Sequence, residues 1–124
     1  MLTLRQAQMD ALDADRARDF EARLVQHLRT VFPSRCEPLG DQGLLDVARD
    51  GIERAESHGL SSEREICKYV DLMFVLGPGF DRDPRLPWAA EILGDPGTRD
   101  GLSRIERLSR AALDYLRGDG GDHA

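Results

Sequence analysis

Residues 81–83, Asp-Arg-Asp, bring two carboxylates close together on a loop, a type and spacing that could hold a cation. A calcium loop needs more oxygen ligands at alternating positions, a glycine at its turn and a distal bidentate glutamate, and the following residues supply none of these. Asp83, directly before Pro84, is therefore read as the cap of the next helix, with Asp81 and Arg82 in local pairs or facing water. Gly77-Pro78-Gly79-Phe80 is glycine-rich, but it lacks the phosphate-loop pattern and follows an apolar helix rather than a strand, so it reads as a helix stop.

His27 and His58 fall near the ends of their helices, where the dipole favours them, and His123 lies in the tail. Cys36 and Cys67 form no Cys-x-x-Cys and have no histidine at metal-ligand spacing; reduced thiols and a cytoplasmic location are expected. The apolar setting of Cys67 should raise its pKa, and no serine stands in a Gly-x-Ser-x-Gly context. No catalytic, cofactor-binding or metal-ligating residue is assigned, and the expected role is non-enzymatic. Two residues stand out. Asp71 sits in the most apolar segment and needs either a buried partner or a narrow exposed strip. Trp88, the sole tryptophan, is read first as a core plug and second as a binding anchor. The corner of Phe80, Asp81, Arg82, Arg85 and Trp88 is the candidate protein-binding surface, an aromatic anchor flanked by charges of both signs.

The elements that hold these residues read as helices. Thr3 and Gln6 have the form of a capping box, and Met9, Leu12, Ala17, Phe20, Leu24, Leu28 and Val31 follow as one stripe that Phe32-Pro33 ends. The stripe is weakest at residues 13–15, where a bend is allowed. After the loop PSRCEPLG, Asp41 caps a second helix carrying Leu44, Leu45, Ala48, Ile52 and Ala55, with Gly59 in the left-handed position beyond it. Gly51 inside that helix suggests a close helix crossing. Ser62 and Glu65 open a third helix, apolar nearly all round and so expected at the centre. Pro87 starts a short helix closed by Gly94, and Thr98 caps a last one with Leu102, Ile105, Leu108, Ala112, Leu113 and Leu116.

These elements predict an all-α fold of about five helices: a single domain over residues 1–117 and a disordered tail over 118–124. The predicted core is Phe20, Leu24, Leu28, Ile52, Ile66, Val70, Phe74 and Ile105. With 124 residues, 40% hydrophobic and 32% charged, the chain suits one globular domain. A net charge of −6 argues against nucleic acid and anionic membranes, which both call for a basic face. No apolar run reaches the roughly 18 residues of a membrane helix, and the N-terminus lacks an export signal.

The stretch GLSSEREICKYVDLMFVLGPGFDRDPRLPWAAEILGDP resembles a family of small helical proteins. Their genes lie among the spike and effector genes of bacterial type VI secretion clusters, beside VgrG, PAAR-type tip proteins and their adaptors. The segments LRQAQMDAL…FEARLVQHLRTVFP and LGDQGLLDVARDGIERAESHGL fit the same pattern, so the likeness covers about residues 2 to 96. The resemblance implies no enzymatic activity and no catalytic residues. It implies a protein partner, an effector or spike component served by an adaptor or chaperone; the alternative is an immunity protein that neutralises a co-encoded toxin. A small regulatory enzyme is the outside reading.

Overall fold

The computed structural model describes residues 4–98 and 100–118, with side chains from residue 14 onward. The predicted capping box at Thr3, His123 and the tail from residue 119 lie outside the described residues. So do the side chains of Met9 and Leu12.

Every regular element among the described residues is helical. They are α1 (Leu4–Val31), α2 (Pro33–Cys36), α3 (Gly40–Ser57), α4 (Glu63–Leu76), α5 (Pro87–Leu93) and α6 (Gly101–Leu116). Because α2 is a single turn, five helices carry the fold. The chain gathers into two compact units whose boundary, between Arg49 and Asp50, falls inside α3.

In the first unit α1 runs through residues 13–15 without a break and stops at Val31, before Phe32-Pro33, as the proline requires. Leu24 and Leu28 are buried, whereas Ala17 and Val31 face solvent and Phe20 is half-buried with the Arg23 guanidinium 5.8 Å from its ring centroid. The predicted loop at 33–40 is more ordered than its composition suggests: α2 is followed by a 3-10 turn over Glu37–Leu39. Asp41 does not cap α3. The helix already starts at Gly40, and Asp41 pairs with Arg29 from within the first turn.

The second unit is built on α4. Its start is the predicted capping box: Ser62 Oγ accepts from Glu65 N at 3.1 Å, and Glu65 Oε1 accepts from Ser62 N at 3.4 Å. From Glu65 to Leu76 no residue is fully exposed, which is why a helix without a polar face is stable here. Ile66, Tyr69, Val70, Leu72, Met73 and Phe74 are buried, each of the larger ones contributing on the order of 1.5–3 kcal/mol. Gly51 on α3 does mark a close crossing: a Cβ built there would lie 2.7 Å from Val70 Cγ2 and 3.0 Å from Met73 Sδ. Ile52 beside it is only half-buried, while Leu60, Tyr69, Phe80, Leu86 and Leu108 join the core.

α6 packs on both α4 and α5. Its cap is Asp100, which accepts from Ser103 N at 2.7 Å, rather than Thr98. Thr98 instead gives its carbonyl to Arg104, whose Nη1 also closes the end of α3 by donating to His58 O at 2.7 Å. Arg107 adds an ion pair to Asp95 at 2.6 Å.

Candidate functional site

The corner between α4 and α5 is made by Gly77, whose φ of 114° is strained for any residue with a Cβ. The chain then turns through Pro78 and Gly79 into a 3-10 turn over Phe80–Arg82. That turn folds two of the five corner residues inward. Phe80 is 1% exposed and Asp81 6% exposed, so neither meets a partner at the surface. Asp81 keeps the expected local pair with Arg82, Nε to Oδ1 at 4.0 Å, but it is buried rather than facing water, and the reason lies at the C-terminal end of α3. Arg54 in the last turn of α3 and His58 in the turn just beyond it, four residues apart and so on one side of the chain, both reach it. Arg54 Nη1 donates to Asp81 Oδ1 at 3.2 Å and to the Pro78 carbonyl at 3.0 Å, while His58 Nε2 lies 2.9 Å from Asp81 Oδ2. Asp50 extends the network from the other side of Arg54 at 3.3 Å.

The electrostatics follow from this geometry. Burial by itself would raise the Asp81 pKa; the His58 hydrogen bond, the nearby Tyr69 hydroxyl and the Arg54 charge outweigh it and hold the carboxyl below its ordinary value. Tyr69 is fully buried, its ring 5.7 Å from that of His58 and 5.1 Å from that of Phe80. Its pKa is raised, first by burial and then by the Asp81 charge, yet its hydroxyl closes no hydrogen bond of regular geometry. An aspartate holding a histidine is half of a nucleophilic triad. Among the described residues the His58 ring makes no second hydrogen bond, to a serine or any other group, and the arrangement acts as a clamp from α3 onto the corner.

The outer face of the corner is Arg82, Arg85 and part of Trp88. Arg82 is open to solvent. Arg85 is held by Asp83, Nε to Oδ1 at 3.2 Å and Nη2 to Oδ2 at 3.0 Å, and its backbone N donates to Oδ1 at 2.9 Å. Asp83 is thereby committed to its own loop and does not cap α5, whose N-cap position is Leu86 with Pro87 in the first turn. Hydrogen bonds from Arg85 hold the Asp83 carboxyl below its ordinary pKa. Trp88 is half-buried beside Tyr115, ring centroids 5.9 Å apart, so it is neither a full core plug nor a free anchor.

A second surface was not singled out from the sequence. α4 and α6 leave a groove of about 220 Å³ between them, lined by Lys68, Asp71, Leu72 and Val75 on one side and by Ser109, Ala112, Leu113 and Leu116 on the other. Leu113 and Leu116 are each 52% exposed, although they belong to the same apolar set as the buried Ile105, Leu108 and Ala112. Asp71 is half-buried at this edge. The signal was present in the sequence as an apolar arc too wide for one buried face of α6.

The two cysteines are free thiols. Cys67 is pushed up to about 11 by burial and, next, by the Asp71 charge; burial also raises Cys36, with Arg29 offsetting part of it. Neither is set up as a nucleophile at neutral pH. No helix among the described residues is long and apolar enough to cross a membrane. No family model matches the chain, and no curated protein or solved structure matches it either.

Proposed function

We propose that this chain works by binding another protein, as an adaptor or chaperone for an effector or spike component of a type VI secretion system. The observation that carries the binding role is the groove between α4 and α6, where Leu113 and Leu116 stand half in solvent beside Leu72 and Val75. Exposed apolar side chains gathered along a depression are what a partner desolvates most profitably. The partner class is supplied by the sequence resemblance alone.

The test is a pull-down with the spike and effector proteins encoded beside this chain, each expressed and identified. Wild type is expected to retain one of them, and Leu113→Asn with Leu116→Asn to lose it while keeping the helical circular dichroism spectrum. Arg82→Ala with Arg85→Ala probes the outer corner in the same assay. If wild type retains none of the neighbours, the adaptor reading fails. Survival of cells expressing the neighbouring effector, restored by this chain alone, would move the assignment to the immunity role.

A further inference from the structure

We propose that the cleft between the end of α1 and the start of α3 binds a small zwitterion with an apolar side chain, an α-amino acid of about leucine's size. The site uses none of the groove residues and stands or falls separately from the protein-binding reading.

The cleft is a consequence of a proline. Pro33 stops α1, and the single turn of α2 followed by the 3-10 turn over Glu37–Leu39 carries the chain round into α3. The last turn of α1 and the first turn of α3 are thereby brought together, as the pair between Arg29 and Asp41 shows, around a cavity of about 320 Å³. That volume lies at the small end of ligand pockets, which run from roughly 300 to 1,000 Å³, and it fits one small metabolite rather than a nucleotide cofactor. Buried Cys36 and Leu44, together with Pro33, give the cavity apolar walls. Gly40 also lines it, and at a φ of 69° a Cβ built there would meet nothing within 4 Å, so no side chain fills that part of the space.

Charge selects the ligand. The segment from Arg29 to Leu44 holds two cations and two anions, Arg29 and Arg35 against Glu37 and Asp41, and all of these but Arg35 line the cavity. Balanced signs favour neither a phosphate ester nor a polyamine, and both signs at one mouth suit a ligand that carries both. The Arg29 and Asp41 side chains are 44% and 91% exposed, so their mutual pair is weak and readily exchanged. A zwitterion replaces that pair with two. Its carboxylate takes the planar Arg29 guanidinium, which matches two oxygens at once, and its ammonium takes Asp41, with Glu37 as a second carboxylate on the rim. The Arg29 charge is also felt at the Cys36 thiol, where it offsets part of the effect of burial, so the guanidinium lies close to the apolar wall that takes the ligand's side chain.

The experiment titrates the full chain, labelled with nitrogen-15, with L-leucine, leucinamide, N-acetylleucine and glycine. The last three remove, in turn, the free carboxylate, the ammonium and the side chain. Leucine is expected to shift the amide resonances between Ser34 and Leu44 saturably, with a Kd about threefold or more below that of each other probe. Arg29→Gln should erase the preference for leucine over leucinamide, and Glu37→Gln with Asp41→Asn the preference over N-acetylleucine. A substitution that only loosened the fold would weaken every probe alike. Circular dichroism checks that both variants stay helical; where one does not, the wild-type series decides alone. Absence of a saturable leucine shift between Ser34 and Leu44 overturns the site. Leucine bound no better than leucinamide or N-acetylleucine overturns the zwitterion, and leucine bound no better than glycine overturns the apolar side chain; either result sinks the inference.

Discussion

Asp81 decides the corner. Its carboxylate is buried with Arg54 and His58, both about a quarter exposed, so removing it strands two donors that water reaches only in part. Asp81→Ala is expected to cost about 1–3 kcal/mol, below the cost of breaking a fully buried pair, measured as a shift in the urea midpoint at unchanged slope. The pH dependence has a definite sign. The folded pKa of Asp81 lies below the ordinary 3.8, so its contribution is fully present above that value and is lost as pH falls through the lowered one. The stability gap between wild type and Asp81→Asn should therefore hold from pH 6 to about 4 and narrow below it; urea titrations at stepped pH check this, and a gap that widens in acid would contradict the pairing. Asp-Arg-Asp gave no local hint of burial, because the partners lie 27 and 23 residues upstream. The legible trace was Arg54 and His58 themselves, two donors on one side of the chain.

At the scale of elements, helix starts and stops obeyed local chemistry, and helix contacts did not. The capping box at Ser62 and Glu65 and the left-handed Gly59 form as read, since each needs only neighbours within a turn. Asp41, Asp83 and Thr98 were eligible caps diverted by an arginine or by a better-placed residue: Arg29 pairs with Asp41, Arg85 with Asp83, and Asp100 caps α6 instead of Thr98. Two glycines of α3 separate propensity from packing. At Gly43 an added Cβ meets only Leu39 Cβ at 3.4 Å, so Gly43→Ala should be neutral or stabilising by up to about 1 kcal/mol. At Gly51 the stiff Val70 blocks the same methyl group, and Gly51→Ala should destabilise by about 1–3 kcal/mol despite its better helix propensity. Thermal melts followed at 222 nm distinguish the pair. A stabilised Gly51→Ala would mean that the crossing is looser than described.

For the whole molecule, the all-helical character should appear directly as a far-UV circular dichroism spectrum with minima at the helical wavelengths and no strand contribution. Phe74, buried on α4, is expected to lose about 3–5 kcal/mol on replacement by alanine, enough to unfold a marginal domain; an unchanged melting temperature would remove α4 from the centre. The sequence by itself determined the class of fold and the ends of most helices, because periodicity and capping depend on residues three or four apart. It also determined that α4 is covered from Glu65 onward, since a helix with no polar face has nothing to show to water. Only the tertiary structure decided which apolar residues are covered. Phe20 and Ile52 carry the same pattern as Leu24 and Ile66 yet stay half-buried, and α6 keeps Leu113 and Leu116 in solvent. Only the tertiary structure, too, turned Phe80 and Asp81 inward and left Arg82, Arg85 and Trp88 as the outer corner. Burial is a property of what lies opposite a side chain, and what lies opposite is set by long-range packing that no local spacing encodes.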